Sequence, residues 1–157
     1  MVQQLVNHFD ARSPKAWSQV QRVELTESTE GGEAVYYYQR GRPQKITVQY
    51  LGEAGQQRAA FYLLESGQLV FVREQTYAYN RPITYDSAAM RENHDNQVFD
   101  LANSTISTTR SYFDHGRLVY QAGAVPPDLA SMTAYKLREQ RRLYAELHQL
   151  LAHTAAQ

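Results

Sequence analysis

Turn signals recur along the first half of this chain so closely that no helix fits between them. They fall near residues 31, 41, 54 and 67, ten to thirteen residues apart. A crossover joining two parallel strands needs about a dozen residues beyond the strands themselves, so neighbouring strands here must double back and pair antiparallel as a meander. The same phrase is used for a turn three times: Tyr36-Tyr37-Tyr38-Gln39-Arg40-Gly41-Arg42, Tyr62-Leu63-Leu64-Glu65-Ser66-Gly67-Gln68 and Ser111-Tyr112-Phe113-Asp114-His115-Gly116-Arg117. Each is an apolar or aromatic run, two polar residues, a glycine that tolerates positive φ, and a returning run, which spells a hairpin.

Between the turns the period is two. Val23 and Leu25 alternate with charges, Thr29-Glu30-Gly31-Gly32 turns the chain, and Ile46, Val48 and Tyr50 share one face of a strand whose other face carries Lys45, Thr47 and Gln49. Five strands are expected over residues 19–77. Residues 78–104 break the rhythm with Asn80-Arg81-Pro82 and the polar run Arg91-Glu92-Asn93-His94-Asp95-Asn96, predicting a long loop with one helical turn around Ser87–Glu92. A hairpin follows over 105–122. At the ends the period is helical: Val2, Leu5, Val6 and Phe9 mark an N-terminal helix within 1–18, and Pro126-Pro127 opens a helix over 127–153. Leu129, Met132, Leu137, Tyr144, Leu147 and Leu151 are read as its apolar face, with Arg138, Glu139, Arg141, Arg142 and Glu146 on the solvated remainder. The expectation is a single α+β domain, a twisted antiparallel meander of about seven strands with the long C-terminal helix packed on it.

Composition narrows the function classes. The 16 basic and 16 acidic side chains cancel, so no global field gathers polyanions, and nucleic acid is not expected as a partner. No apolar stretch approaches the ~20 residues of a membrane-spanning helix. The N-terminal Met1-Val2-Gln3-Gln4-Leu5 lacks the basic and apolar regions of a signal peptide. The chain has no cysteine, which removes disulfides, thiolate metal sites and thiol catalysis together. Twelve tyrosines against five phenylalanines suit half-buried strand positions with one wet end.

Two resemblances follow from the motifs. Tyr112-Phe113-Asp114-His115-Gly116-Arg117-Leu118 resembles the tyrosine-and-glycine islands of MORN-variant repeats, although the glycines at 41, 67 and 116 keep no fixed period. Tyr50-Leu51-Gly52-Glu53-Ala54-Gly55 before Phe61-Tyr62, with Tyr79-Asn80-Arg81-Pro82 after the next strand, is similar to small exported proteins and lipoproteins of the Bacteroidota. That second resemblance implies a periplasmic or cell-surface protein preceded by a signal segment. The cysteine-free composition on its own is equally compatible with the cytoplasm.

Chemistry, if the chain performs any, is expected in the long loop. Asp86, Glu92, His94, Asp95 and Asp100 offer carboxylates and an imidazole of the kind that bind divalent cations or exchange protons. Their spacing completes no calcium loop and no His-Glu-x-x-His helix, so no metal, cofactor or catalytic residue is assigned. Structural or solvent-facing roles are expected for all five histidines. Consecutive Tyr36, Tyr37 and Tyr38 must alternate between faces, as an aromatic platform or as core and cross-strand packing. The leading expectation is a non-catalytic binding module for a peptide, carbohydrate or protein partner, monomeric or weakly dimeric. The alternatives are an enzyme built on the loop carboxylates and His94, and a small inhibitor of a cell-wall enzyme or protease.

Overall fold

The structure is a computed structural model that describes residues 2–26 and 30–155, so the turn expected to begin at Thr29 lies partly outside the described residues. Helix α1 (Val2–Ala11) and a 3₁₀ turn (Pro14–Ala16) precede five strands: β1 (Gln19–Leu25), β2 (Gly32–Gln39), β3 (Arg42–Leu51), β4 (Gly55–Leu63) and β5 (Leu69–Ala78). A long connection holding α2 (Ser87–Glu92) and a second 3₁₀ turn (Leu101–Asn103) leads to β6 (Thr105–Asp114) and β7 (Arg117–Gly123). The chain ends in α3 (Pro127–Ala130) and α4 (Thr133–Ala155). All seven strands form one sheet in sequence order, each antiparallel to the next. This is the α+β meander that the turn spacing dictates.

The three repeated turns use two geometries. At Arg40-Gly41 and His115-Gly116 both central residues have positive φ (56° and 78°, 48° and 80°), the two-residue turn whose twist matches that of the flanking strands. At Ser66-Gly67 only the glycine is left-handed (φ 91°), Gly67 donates to the Leu64 carbonyl, and the register shifts at Tyr62/Leu63. That is a longer loop, while a register shift flanks all three turns, at Tyr37/Tyr38, Tyr62/Leu63 and Tyr112/Phe113.

Alternation along the strands sends side chains to two faces, and each face has its own core. On one, Val23, Tyr36, Ile46, Phe61, Val72 and Phe113 pack against Leu143, Leu147 and Leu150 of α4. Burial of each of those leucines contributes about 2 kcal/mol. The Tyr36 hydroxyl, fully buried, donates to the Leu150 carbonyl at 2.6 Å and ties β2 to the end of the helix. On the other face Val6 and Phe9 of α1, with Trp17, cover Tyr37, Tyr62, Val70 and Phe71. The tyrosine triplet is therefore core and cross-strand packing on both faces; Tyr38, partly buried, donates to Gln21 at 2.9 Å.

The C-terminal helix departs from expectation in two ways. It is interrupted at Ser131 and Met132, so α3 is a separate single turn. Its buried face is Leu143, Leu147 and Leu150, while Leu129, Met132 and Leu137 are exposed by 36%, 54% and 45%. The reason lies opposite the helix: its first half runs over a polar part of the sheet, where Tyr135, Glu139 and Arg142 make the contacts. Arg142, Glu139 and Glu146, read as part of a solvated face, thus turn toward the sheet.

Candidate functional site

The long loop is held by the residues that made it attractive. Asp86 caps α2, accepting from the Ala89 amide at 3.0 Å, and Asp100 caps the second 3₁₀ turn through Ala102 at 3.1 Å. Asp95 takes Arg81 in a two-pronged pair at 2.6 and 2.9 Å and also accepts from the Tyr85 hydroxyl at 3.0 Å. The Arg81 hydrogen bonds hold the Asp95 carboxyl far below the usual carboxylate range, with Asn96 and Tyr85 adding to the effect against its burial. His94 sits just past α2 with φ of 52°, in the left-handed position that closes a helix; its amide donates to Arg91 and the Asp95 amide to Met90. Both His94 and Glu92 are exposed. Among the described residues no three histidine, aspartate or glutamate side chains converge as metal ligands. Hydrogen bonding within the loop thus gathers these residues into caps and an ion pair, not into one reacting centre.

The cleft lies elsewhere, between the first half of α4 and the sheet. It encloses about 300 Å³ and is lined on the sheet side by Gln57, Glu74, Thr76, Ser107 and Thr109, and on the helix side by Glu139, Arg142 and Glu146. The strand register explains the lining. Ala59, Glu74 and Thr109 occupy one row across β4, β5 and β6, and Gln57, Thr76 and Ser107 the same face one step toward the loop. Small and polar side chains there leave the helix standing off the sheet, whereas Phe61, Val72 and Phe113 further along draw it in.

Arg142 organises the cleft. It grips Glu74 with two nitrogens at 2.8 and 2.9 Å and Glu139 at 2.8 and 3.0 Å, a fork geometry that orients both carboxylates. These two partners raise the guanidinium's pKa further, and Arg142 holds Glu139 below its usual value. Behind Glu139, the Tyr135 hydroxyl donates to Gln121 at 2.7 Å, and the Gln121 amide donates to Ser111 at 3.0 Å and Glu139 at 3.3 Å. Buried Gln121 and Ser111 are thereby satisfied.

Glu146 is different. Among the described residues its carboxyl makes no hydrogen bond or ion pair, and burial, reinforced by the charge of Glu74 and opposed by Arg142, pushes it up to about 7. A partly buried carboxyl that is half protonated near neutral pH, facing hydroxyl-lined space, can accept a hydrogen bond or donate one. The helical spacing of Glu139, Arg142 and Glu146, three and four apart on one face, was the signal available in sequence. What it faces was not.

Comparison with known families, curated sequences and solved structures finds no match to this chain. The functional reading rests on the site itself.

Proposed function

We propose that the chain is a non-catalytic binding module acting outside the cytoplasm, and that it takes a small ligand bearing hydroxyl and amino groups in the cleft between α4 and the sheet. The observation that carries this reading is Glu146, a carboxyl without a partner among the described residues, set beside a space of about 300 Å³. Thr76, Ser107 and Thr109 supply hydroxyls and Gln57 an amide around the same space. Glu74 and Glu139 together outweigh Arg142, and a cation beside Glu146 would draw off its proton, so the cleft favours a ligand with a cationic amine over an anion. Binding is favoured over loop chemistry because Asp86, Asp95 and Asp100 are each committed to a cap or a pair. The similarity of the Tyr50–Gly55 and Tyr79–Pro82 segments to exported proteins of the Bacteroidota supports the location.

The test is a titration with glucosamine and galactosamine, against glucose and N-acetylglucosamine, followed by amide chemical shifts. The amines should move the signals of Gln57, Ser107 and Thr109, and Glu146→Gln should weaken them about tenfold, the loss of one charge-assisted hydrogen bond. If no shift maps to the cleft, or if Thr109→Trp fills it without consequence for binding, the reading fails.

A further inference from the structure

The face of the sheet opposite the cleft carries a second constellation, built from arginines. Helix α1 covers its half near Tyr37, Tyr62 and Phe71 and leaves the other half open. There the register sets Thr47, Ala60, Arg73 and Arg110 in one row and Gln49, Arg58, Gln75 and Thr108 in the next. Arg73 and Arg110 are directly opposed across β5 and β6, with Cα atoms about 5 Å apart. Like charges so placed repel unless something anionic lies between them.

The acids nearby do not cancel them. Asp10 is shared among Lys45 at 2.9 Å, the Tyr62 hydroxyl at 2.6 Å and Arg73 at 3.4 Å. Glu33, opposite Gln49 at the β2 end of the depression, is engaged by Arg22 at 2.8 Å. Arg58 is steadied by the Tyr77 ring, 4.6 Å from its centroid, and by Gln56 at 2.9 Å, neither of which neutralises it. Arg110 is exposed and, among the described residues, its side chain has no hydrogen bond or ion pair. Between these long side chains the small Ala60 and Thr47 leave a depression of about 370 Å³, walled by Arg58, Arg73, Gln49 and Gln75 and closed at the β2 end by the Arg22-paired Glu33.

We infer that this open half-face binds an acidic glycan strand, its carboxylate or sulfate groups held by Arg58, Arg73 and Arg110 and its hydroxyls by the interleaved glutamines and threonines. Guanidinium forks match planar oxyanions, and side-chain amides and hydroxyls match sugar hydroxyls. A nucleic-acid strand fits less well. The rings it would stack on are engaged, Tyr77 beneath Arg58 and Tyr112 between Phe71 and Tyr120.

The experiment titrates the whole chain with oligogalacturonate and with chondroitin sulfate, beside neutral dextran and an oligothymidylate, by calorimetry and amide shifts. One of the two acidic glycans should bind, move the signals of Arg73, Gln75, Thr108 and Arg110, and weaken as salt rises from ~50 to ~300 mM. Arg110→Gln should weaken it about tenfold and Arg110→Glu abolish it. Because the Arg110 side chain supports nothing in the fold and opposes Arg73, both variants should be at least as stable as the parent, which separates lost binding from lost structure. Failure of both glycans to bind, equal binding of dextran, tighter binding of the oligothymidylate, or indifference to the Arg110 substitutions would each overturn the proposal. The cleft is untouched by these variants, so either reading can fail without the other.

Discussion

Under α4 the carboxylates Glu74, Glu139 and Glu146 outnumber Arg142, whereas on the α1 face Arg22, Lys45, Arg58, Arg73 and Arg110 outnumber Asp10, Glu24 and Glu33 and stand partly in solvent. Neighbouring residues of one strand make the contrast: Arg73 meets Asp10 of α1, and Glu74 meets Arg142 of α4. A chain with no formal net charge thus separates its charges across the thickness of one sheet. Neutrality of composition rules out a uniform field but leaves two local fields of opposite sign. The faces also differ in how they are held. The α4 side has the larger continuous core, with three fully or nearly buried leucines from the helix, while α1 brings Val6 and Phe9.

The largest test of that difference is in the cores. Leu143→Ala should cost about 3 kcal/mol and Val6→Ala about 2 kcal/mol in urea denaturation; an equal or inverted pair of losses would mean that the two helices contribute alike. The second test is pH. Glu146 has a folded pKa of about 7 against an ordinary 4.5, so the native state binds its proton more tightly. The stability this confers is complete below about pH 4.5 and is lost as pH rises through 7. Glu146→Gln should therefore match the parent in acid and exceed it by on the order of 1–2 kcal/mol at pH 8.

Asp10, across the sheet, should behave in the opposite sense. Burial alone would raise its carboxyl, but hydrogen bonds from Tyr62 and Lys45 outweigh that and lower it. The stability it confers is present above 3.8 and lost as pH falls through the lower folded value, so Asp10→Asn should destabilise at neutral pH and converge on the parent in acid. A common direction for Glu146 and Asp10 would erase the contrast between the faces.

Smaller effects sharpen it. Arg142→Met leaves Glu74 and Glu139 without their cation and should cost about 1 kcal/mol, since nearly half of the arginine side chain is in water. It should also raise the Glu146 carboxyl further, visible as a later midpoint in its side-chain carbon shift. Arg110→Gln should change stability by less than about 0.5 kcal/mol, and toward greater stability, because it relieves the opposition to Arg73.

The fold was legible because its information is local. Arg40-Gly41, Ser66-Gly67 and His115-Gly116 each specify a turn within a few residues, and once consecutive strands must pair, the strand order follows. The sites were not, because they depend on register and facing. Arg73 meets Arg110 only after the chain has crossed the long loop, and nothing near Arg110 announces its partner row. Glu139, Arg142 and Glu146 share a helical face in sequence, yet whether it meets solvent or sheet depends on which leucines win the core; Leu143 and Leu150 did, and Leu129 and Leu137 did not. The loop misled because aspartates that cap helices and aspartates that do chemistry are spelled the same, and only the partners of Asp86, Asp95 and Asp100 distinguish them.

The strict chain order of the strands has a consequence for how the molecule is born. Six pairings join consecutive strands, so contact order within the sheet is low and hairpins can close one after another as the chain leaves the ribosome. The face that α4 covers cannot be closed in that way, since its tie from Tyr36 to Leu150 spans 114 residues. A nascent chain stopped short of Thr133 would carry a completed sheet with Ile46, Phe61 and Val72 bare. In that interval a chaperone, or a second unfinished copy, would find its docking surface.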